Sequence, residues 1–163
     1  MKLIAWTCIL LAGLTAATVD TAAEENPNVV RIERVEVAMV ETGPVVILRA
    51  EGRAIPVFVD ITVAESIHAA LSGGKPRRPF PHDLMHTVLT AYDGRVTRAA
   101  ISLKGNTFHA DLTVVMRGRE QVFDSRASDA IALATHFKAP VTVSRELLEK
   151  SGVEVDAPGQ KRL

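Results

Sequence analysis

The chain has 163 residues, 47% hydrophobic and 23% charged, with 19 Lys+Arg against 19 Asp+Glu. That length and balance fit one globular domain and exclude a disordered tail or a multidomain protein. Zero net charge also excludes a global basic field of the kind that advertises nucleic acid.

Met1-Lys2 gives a short positive start, Leu3 to Val19 is nearly all apolar or small, and Thr21-Ala22-Ala23 offers small residues for a cut. This is the layout of a secretory signal peptide, and the apolar run is marginal for a permanent span. Residues 1–23 are therefore expected to be removed, leaving an exported protein, periplasmic or secreted, with no stable membrane span. An uncleaved N-terminal anchor is the alternative. Cleavage would remove Lys2 and Asp20, one charge of each sign, so the mature chain stays neutral. The single cysteine, Cys8, falls in the removed stretch, so the mature chain is expected to hold its core without a disulfide.

Residues 24–34 read as a polar lead-in running into the start of a first strand. Val29 to Val40 alternates as one long strand, with a slip of phase near Arg34 where a bulge could sit. Glu41-Thr42-Gly43-Pro44 turns it into Val45 to Arg49, and Glu51-Gly52-Arg53 leads to Ala54 to Val59, a three-stranded meander. Thr62 followed by Val63-Ala64-Glu65 has the pattern of a capping box, and Ser72-Gly73-Gly74 stops the helix it opens. Lys75 to Pro81, KPRRPFP, cannot be helical, and Lys75, Arg77 and Arg78 form a compact positive patch.

His82 to Tyr92 is amphipathic: Leu84, Met85, Val88, Leu89 and Tyr92 form an apolar face. His82, Asp83, His86 and Thr90 lie opposite. Strands are expected at Arg95 to Leu103, Thr107 to Met116 and Glu120 to Phe123, the first two joined by Lys104-Gly105-Asn106. Ala130 to Phe137 is a small-residue helix able to lie close on a sheet, Val141 to Val143 a short strand, and Ser144 opens a last helix. Residues 153–163 read as a frayed tail. Strands and helices in blocks with hairpins give the fold class α+β, mostly antiparallel sheet with helices packed against it, in a single domain.

Two stretches carry chemistry. His82-Asp83-x-x-His86 has the spacing of a zinc-protease helix, but its acid is one methylene short and no distal ligand is obvious. The doublet also suits metal-dependent phosphohydrolases of the HD type, which are all-helical. A solvated helix face is the plainer reading. In FDSRASDAIALATHFKAP, Asp124, Ser125, Arg126, Ser128 and Asp129 crowd one junction before an apolar helix. They could cap that helix, or bind a divalent ion and phosphate. His109 and Asp111 share one face of a strand and could line a site or face water.

PHDLMHTVL, ISLKGNTFHADL and DSRASDAIALATHFKAPVTVS resemble, in order and spacing, the bifunctional nuclease family of bacteria and plants. The resemblance runs from about Val35 to Gly152, a domain of residues 35–152, and places the family's motif positions at His82, Asp83, Leu84, Phe108, Ala110, Asp124, Arg126, Ser128, Asp129 and Ala130. Pro81 stands where members usually have threonine, and Ala127 where they often have proline. The helical motif that longer members append is missing, and most members are not exported.

What the resemblance implies is hydrolysis of DNA and RNA, and the residue types in its blocks lead to the hypothesis of a metal-assisted route. Asp124 and Asp129, with Asp83 if the two helix starts converge, would hold Mg²⁺ or Mn²⁺, His82 would act as general base or acid, and Arg126 would clamp phosphate. Lys75, Arg77, Arg78 and Ser128 would contact the substrate. A non-catalytic oligomeric binding or scaffold domain is the alternative, supported by the neutral charge and the few aromatic residues. A small-molecule phosphoesterase is a third. The exposed edge expected at Val29 to Val40 points to a homo-oligomer.

Overall fold

The computed structural model describes residues 26–154. The expected signal peptide and most of the expected tail lie outside these residues. None of the helices described is long and apolar enough to cross a membrane.

The segment read as one long strand is two. β1 (Val29–Arg31) and β2 (Arg34–Val40) belong to different sheets. The phase slip is real, but it marks a change of sheet instead of a bulge: Ile32 N–H donates to Val141 O, and the next amide, Glu33 N–H, to Arg49 O in the other sheet. β2, β3 (Gly43–Ala50) and β4 (Arg53–Phe58) form the expected meander. Val153–Glu154, expected in the tail, instead adds to β4 as β9. The second sheet has the order β1-β8-β5-β6-β7, built from β5 (Gly94–Lys104), β6 (Thr107–Met116), β7 (Arg119–Arg126) and β8 (Val141–Ser144). All pairings are antiparallel except β5 with β8. The fold is α+β, as expected.

Four helices complete the domain. α1 (Ile61–Ser72) starts after Asp60, so Thr62 lies inside its first turn and does not cap it; Gly73, at φ 71°, ends it in the left-handed conformation that glycine adopts without strain. α2 (Pro81–Ala91) begins with its proline, whose missing N–H costs nothing in a first turn. α3 (Ala127–Phe137) lies on β5 and β6, and α1 bridges it to the meander. Ala127, Ala130, Ile131, Ala132 and Ala134 are all buried, so the small side chains bring α3 close to the sheet. α4 (Arg145–Ser151) is capped by Ser144, whose hydroxyl accepts from Leu147 N–H at 3.1 Å.

The face of α2 read as solvated turns partly inward. Leu84, Met85, Val88 and Tyr92 are exposed, while His82 is buried and Asp83 and His86 are half-buried. The polar side packs on α3, where His86 lies 4.4 Å, ring to ring, from Phe137. Leu89 of the apolar face is half-buried against the core and Thr90 of the polar face is exposed, so the inward side mixes the two faces and is set by partners on α3 that periodicity does not show.

Candidate functional site

Four contacts tie the three longer helices together. Arg126 Nη1 lies 3.9 Å from Asp60, His82 Nε2 3.2 Å from Asp129, and His136 Nε2 2.9 Å from Ser66 Oγ and 4.0 Å from Asp83. Two of these contacts link the starts of α1, α2 and α3 through Arg126, Asp129 and His82, and the other two join His136, in the last turn of α3, to Ser66 and Asp83. The three helices border a groove of about 1490 Å³ whose far wall is β6 and β7. Met85, Leu89, Leu112 and Leu133 give it an apolar lining, and Arg117, Arg119 and Arg126 supply cations.

Asp129 is the third residue of α3, one turn beyond Arg126. Arg126 closes on it with both prongs, Nε to Oδ2 at 2.8 Å and Nη2 to Oδ1 at 3.0 Å. Since a carboxylate only accepts, the third bond is a donation from His82 Nε2–H to Oδ1. Burial pushes the Asp129 carboxyl up, but its bonds to Arg126 and His82 prevail and hold it below the ordinary carboxylate range. His82, with Nε2 given to Asp129, has Nδ1 buried without a partner. In this geometry His82 positions Asp129 through the bond from its Nε2–H.

The other expected site residues are spread more widely. Asp83 accepts from Phe80 N–H at 3.1 Å, the returning half of a capping box, so it secures the start of α2. Asp124 is not at a helix mouth: it lies near the end of β7 at the groove's margin, its side chain 79% exposed and 3.8 Å from His109 on β6. Ser128, in the first turn of α3, and Lys75, Arg77 and Arg78, on the exposed loop before α2, are outside the groove's lining.

The three aspartates therefore do not fit a shared Mg²⁺ or Mn²⁺. Asp129 has both oxygens engaged, Asp83 caps its helix and Asp124 faces His109. Among the described residues no three His, Cys, Asp or Glu form a metal-binding group.

Asp60, Ser66, Arg117, Arg119 and His136 belong to this region and were not singled out from sequence. His136 was the most findable, since it follows Asp129 by seven residues, two turns along the same face. It is held against the fully buried Ser66. Burial pushes its imidazole below the ordinary value of 6.5, against the pull of Asp83 and with help from His86 and His82. The folded state thus resists a proton that the unfolded chain accepts. The stability this neutral ring contributes is complete above about pH 6.5 and declines as pH falls below that value. Urea midpoints should drop between pH 7.5 and 5.5, and His136→Gln should flatten that drop. A wild-type midpoint that stays level across this range would sink the assignment.

Comparison with known proteins covers the same region of the chain. A family model described as the bifunctional nuclease domain matches residues 45–156. Two uncharacterized proteins of Mycobacterium tuberculosis, from strains CDC 1551 / Oshkosh and ATCC 25618 / H37Rv, are each 30% identical over 127 residues, covering 76% of this chain and 76% of theirs. The matched segment contains all three helix starts, the groove and the Arg126–Asp129–His82 set, and on that match the chain belongs to the bifunctional nuclease domain family.

Proposed function

We propose that the groove binds a strand of DNA or RNA and hydrolyses its phosphodiester bonds. The observation that carries this reading is the meeting of three helix starts with Arg126 at one end of the groove. Unpaired amides of a first turn and the positive end of a helix dipole favour an anion, and a guanidinium adds charge-assisted hydrogen bonds. The apolar lining suits the faces of unpaired bases. Family membership supports the substrate class.

Arg126 can offer phosphate its Nη1, the nitrogen not committed to Asp129. As phosphate draws the guanidinium away, Asp129 keeps His82 but loses the partner that depresses its proton affinity. Burial then makes it a better acceptor for the proton of a water molecule. The water oxygen bonds to phosphorus, its proton passes to Asp129, and the leaving oxygen departs with a proton from solvent. The test is cleavage and binding of single-stranded oligonucleotides by the purified protein. Arg126→Met should weaken binding by roughly tenfold or more, the scale of a charged hydrogen bond of about 1.5–3 kcal/mol. No product from the wild type, together with unchanged binding by the variant, would remove this reading.

One observation favours the non-catalytic alternative: Arg126 and Asp129 already satisfy each other in the free chain. In a scaffold domain, Asp129→Asn would shift the melting temperature with no turnover to lose. Export belongs to the same proposal and rests on the N-terminal run of small and apolar residues. Mass spectrometry of the N-terminus of the native protein tests it.

A further inference from the structure

Among the described residues β7 is the outer strand of its sheet, with one edge unpaired. Its eight residues, REQVFDSR, contain no glycine or proline, and its pairing with β6 is unbroken. Val122 and Phe123 at its centre are 52% and 44% exposed. A long, regular, apolar-centred edge is a template for another strand.

The hairpin fixes which groups that edge presents. Arg117 and Gly118, both at positive φ (51° and 72°), form a two-residue turn between Met116 and Arg119. In such a turn the closing pair is hydrogen-bonded, and hydrogen-bonded pairs then alternate. Arg119, Gln121, Phe123 and Ser125 therefore spend their backbone groups on β6. Glu120, Val122 and Asp124, with the Arg126 N–H, turn theirs toward the open edge.

A second β7 running antiparallel can use these outward groups in few registers. Centred on Val122, it sets Glu120 against Asp124 twice; centred on Asp124, it sets that carboxylate against itself; centred on Gln121, it forms no ion pair. Centred on Phe123, it places Glu120 opposite Arg126 twice and Phe123 opposite Phe123. The other long edge left open among the described residues, β2, presents only the uncharged Val35, Val37 and Met39, so no register there gains an ion pair.

We propose that the chain forms a two-fold dimer by antiparallel pairing of β7 with β7, centred on Phe123. The two five-stranded sheets become one sheet of ten strands, with the two-fold axis perpendicular to it, so both grooves open on the same face. Arg119, Gln121, Phe123 and Ser125 line that face, and the two grooves join across the Phe123 pair into one cleft. The partner's Glu120 stands opposite Arg126, the residue that holds Asp129. The dimer does not depend on the hydrolytic reading, because its readout is mass and cross-linking.

The wild-type full chain should sediment at twice the chain mass. Val122→Pro removes only an outward N–H, a substitution edge strands tolerate, and should sediment at one chain mass with an unchanged circular dichroism spectrum. In a Cys8→Ser background, Phe123→Cys should form a disulfide-linked dimer under mild oxidation, since opposed residues of a non-hydrogen-bonded pair stand within disulfide range. Gln121→Cys, facing Ser125, should not. A wild type of single-chain mass, or a folded Val122→Pro that remains double, overturns the proposal, as does Gln121→Cys linking as fully as Phe123→Cys. If Val122→Pro fails to fold, the two cysteine variants decide the matter alone.

Discussion

Asp129→Asn is expected to slow cleavage of single-stranded nucleic acid by about 10²–10³-fold, within the range by which a positioned acid–base group accelerates proton transfer. Asparagine keeps an oxygen for the His82 donor but cannot take a proton from water, and it returns only a neutral acceptor to Arg126. The change should cost the fold little, on the order of 1 kcal/mol, because the Arg126 side chain is 67% exposed and the ion pair it loses is screened. Asp124→Asn is the informative companion. That side chain faces solvent near His109, and its loss should change the rate by less than about threefold, the residual of a rim charge. A shared divalent ion on Asp83, Asp124 and Asp129 would instead make both variants collapse together. Equal rates for wild type and folded Asp129→Asn, measured as initial product formation on one oligonucleotide, would end the case for Asp129 as proton acceptor.

The sequence was most readable where a single residue's chemistry decides local structure. Gly73 stopping α1, Pro81 opening α2 and Ser144 capping α4 all act through backbone geometry or one hydrogen bond, and none needs a distant partner. Reading failed where the deciding partner was remote. His82, Asp83 and His86 of α2 turn inward because Asp129, His136 and Phe137 wait for them on α3. Alternation through Val29 to Val40 could not reveal a change of sheet, because β1 and β2 each keep a period of two and only their neighbours differ. Asp124 looked like a helix-mouth residue until β7 proved to run to Arg126. The polar residues singled out from sequence thus do different work: Asp83 caps, Asp124 edges the groove, and Arg126, Asp129 and His82 form one set.

That set is only as well placed as α3, so the second large effect lies in the core. Ile131→Ala should destabilise the domain by about 2–5 kcal/mol, the cost of a cavity that its surroundings fill only in part. Ile131 is fully buried, and its neighbours Ala130, Ala132 and Ala134 are too short to close the gap. For a domain of this size the melting temperature should fall by on the order of 10 °C. The loss should also reach the site. Asp129 and Ile131 are two residues apart on one rigid helix, so any settling of α3 toward the sheet shifts Asp129 against His82, which is fixed on α2 instead. Catalysis is sensitive to displacements of about 1 Å, so activity well below the melting transition should drop more than the folded fraction does. Activity that simply tracks the folded fraction, followed by circular dichroism over the same temperatures, would show that the packing of α3 supports the fold without tuning the Asp129–His82 contact.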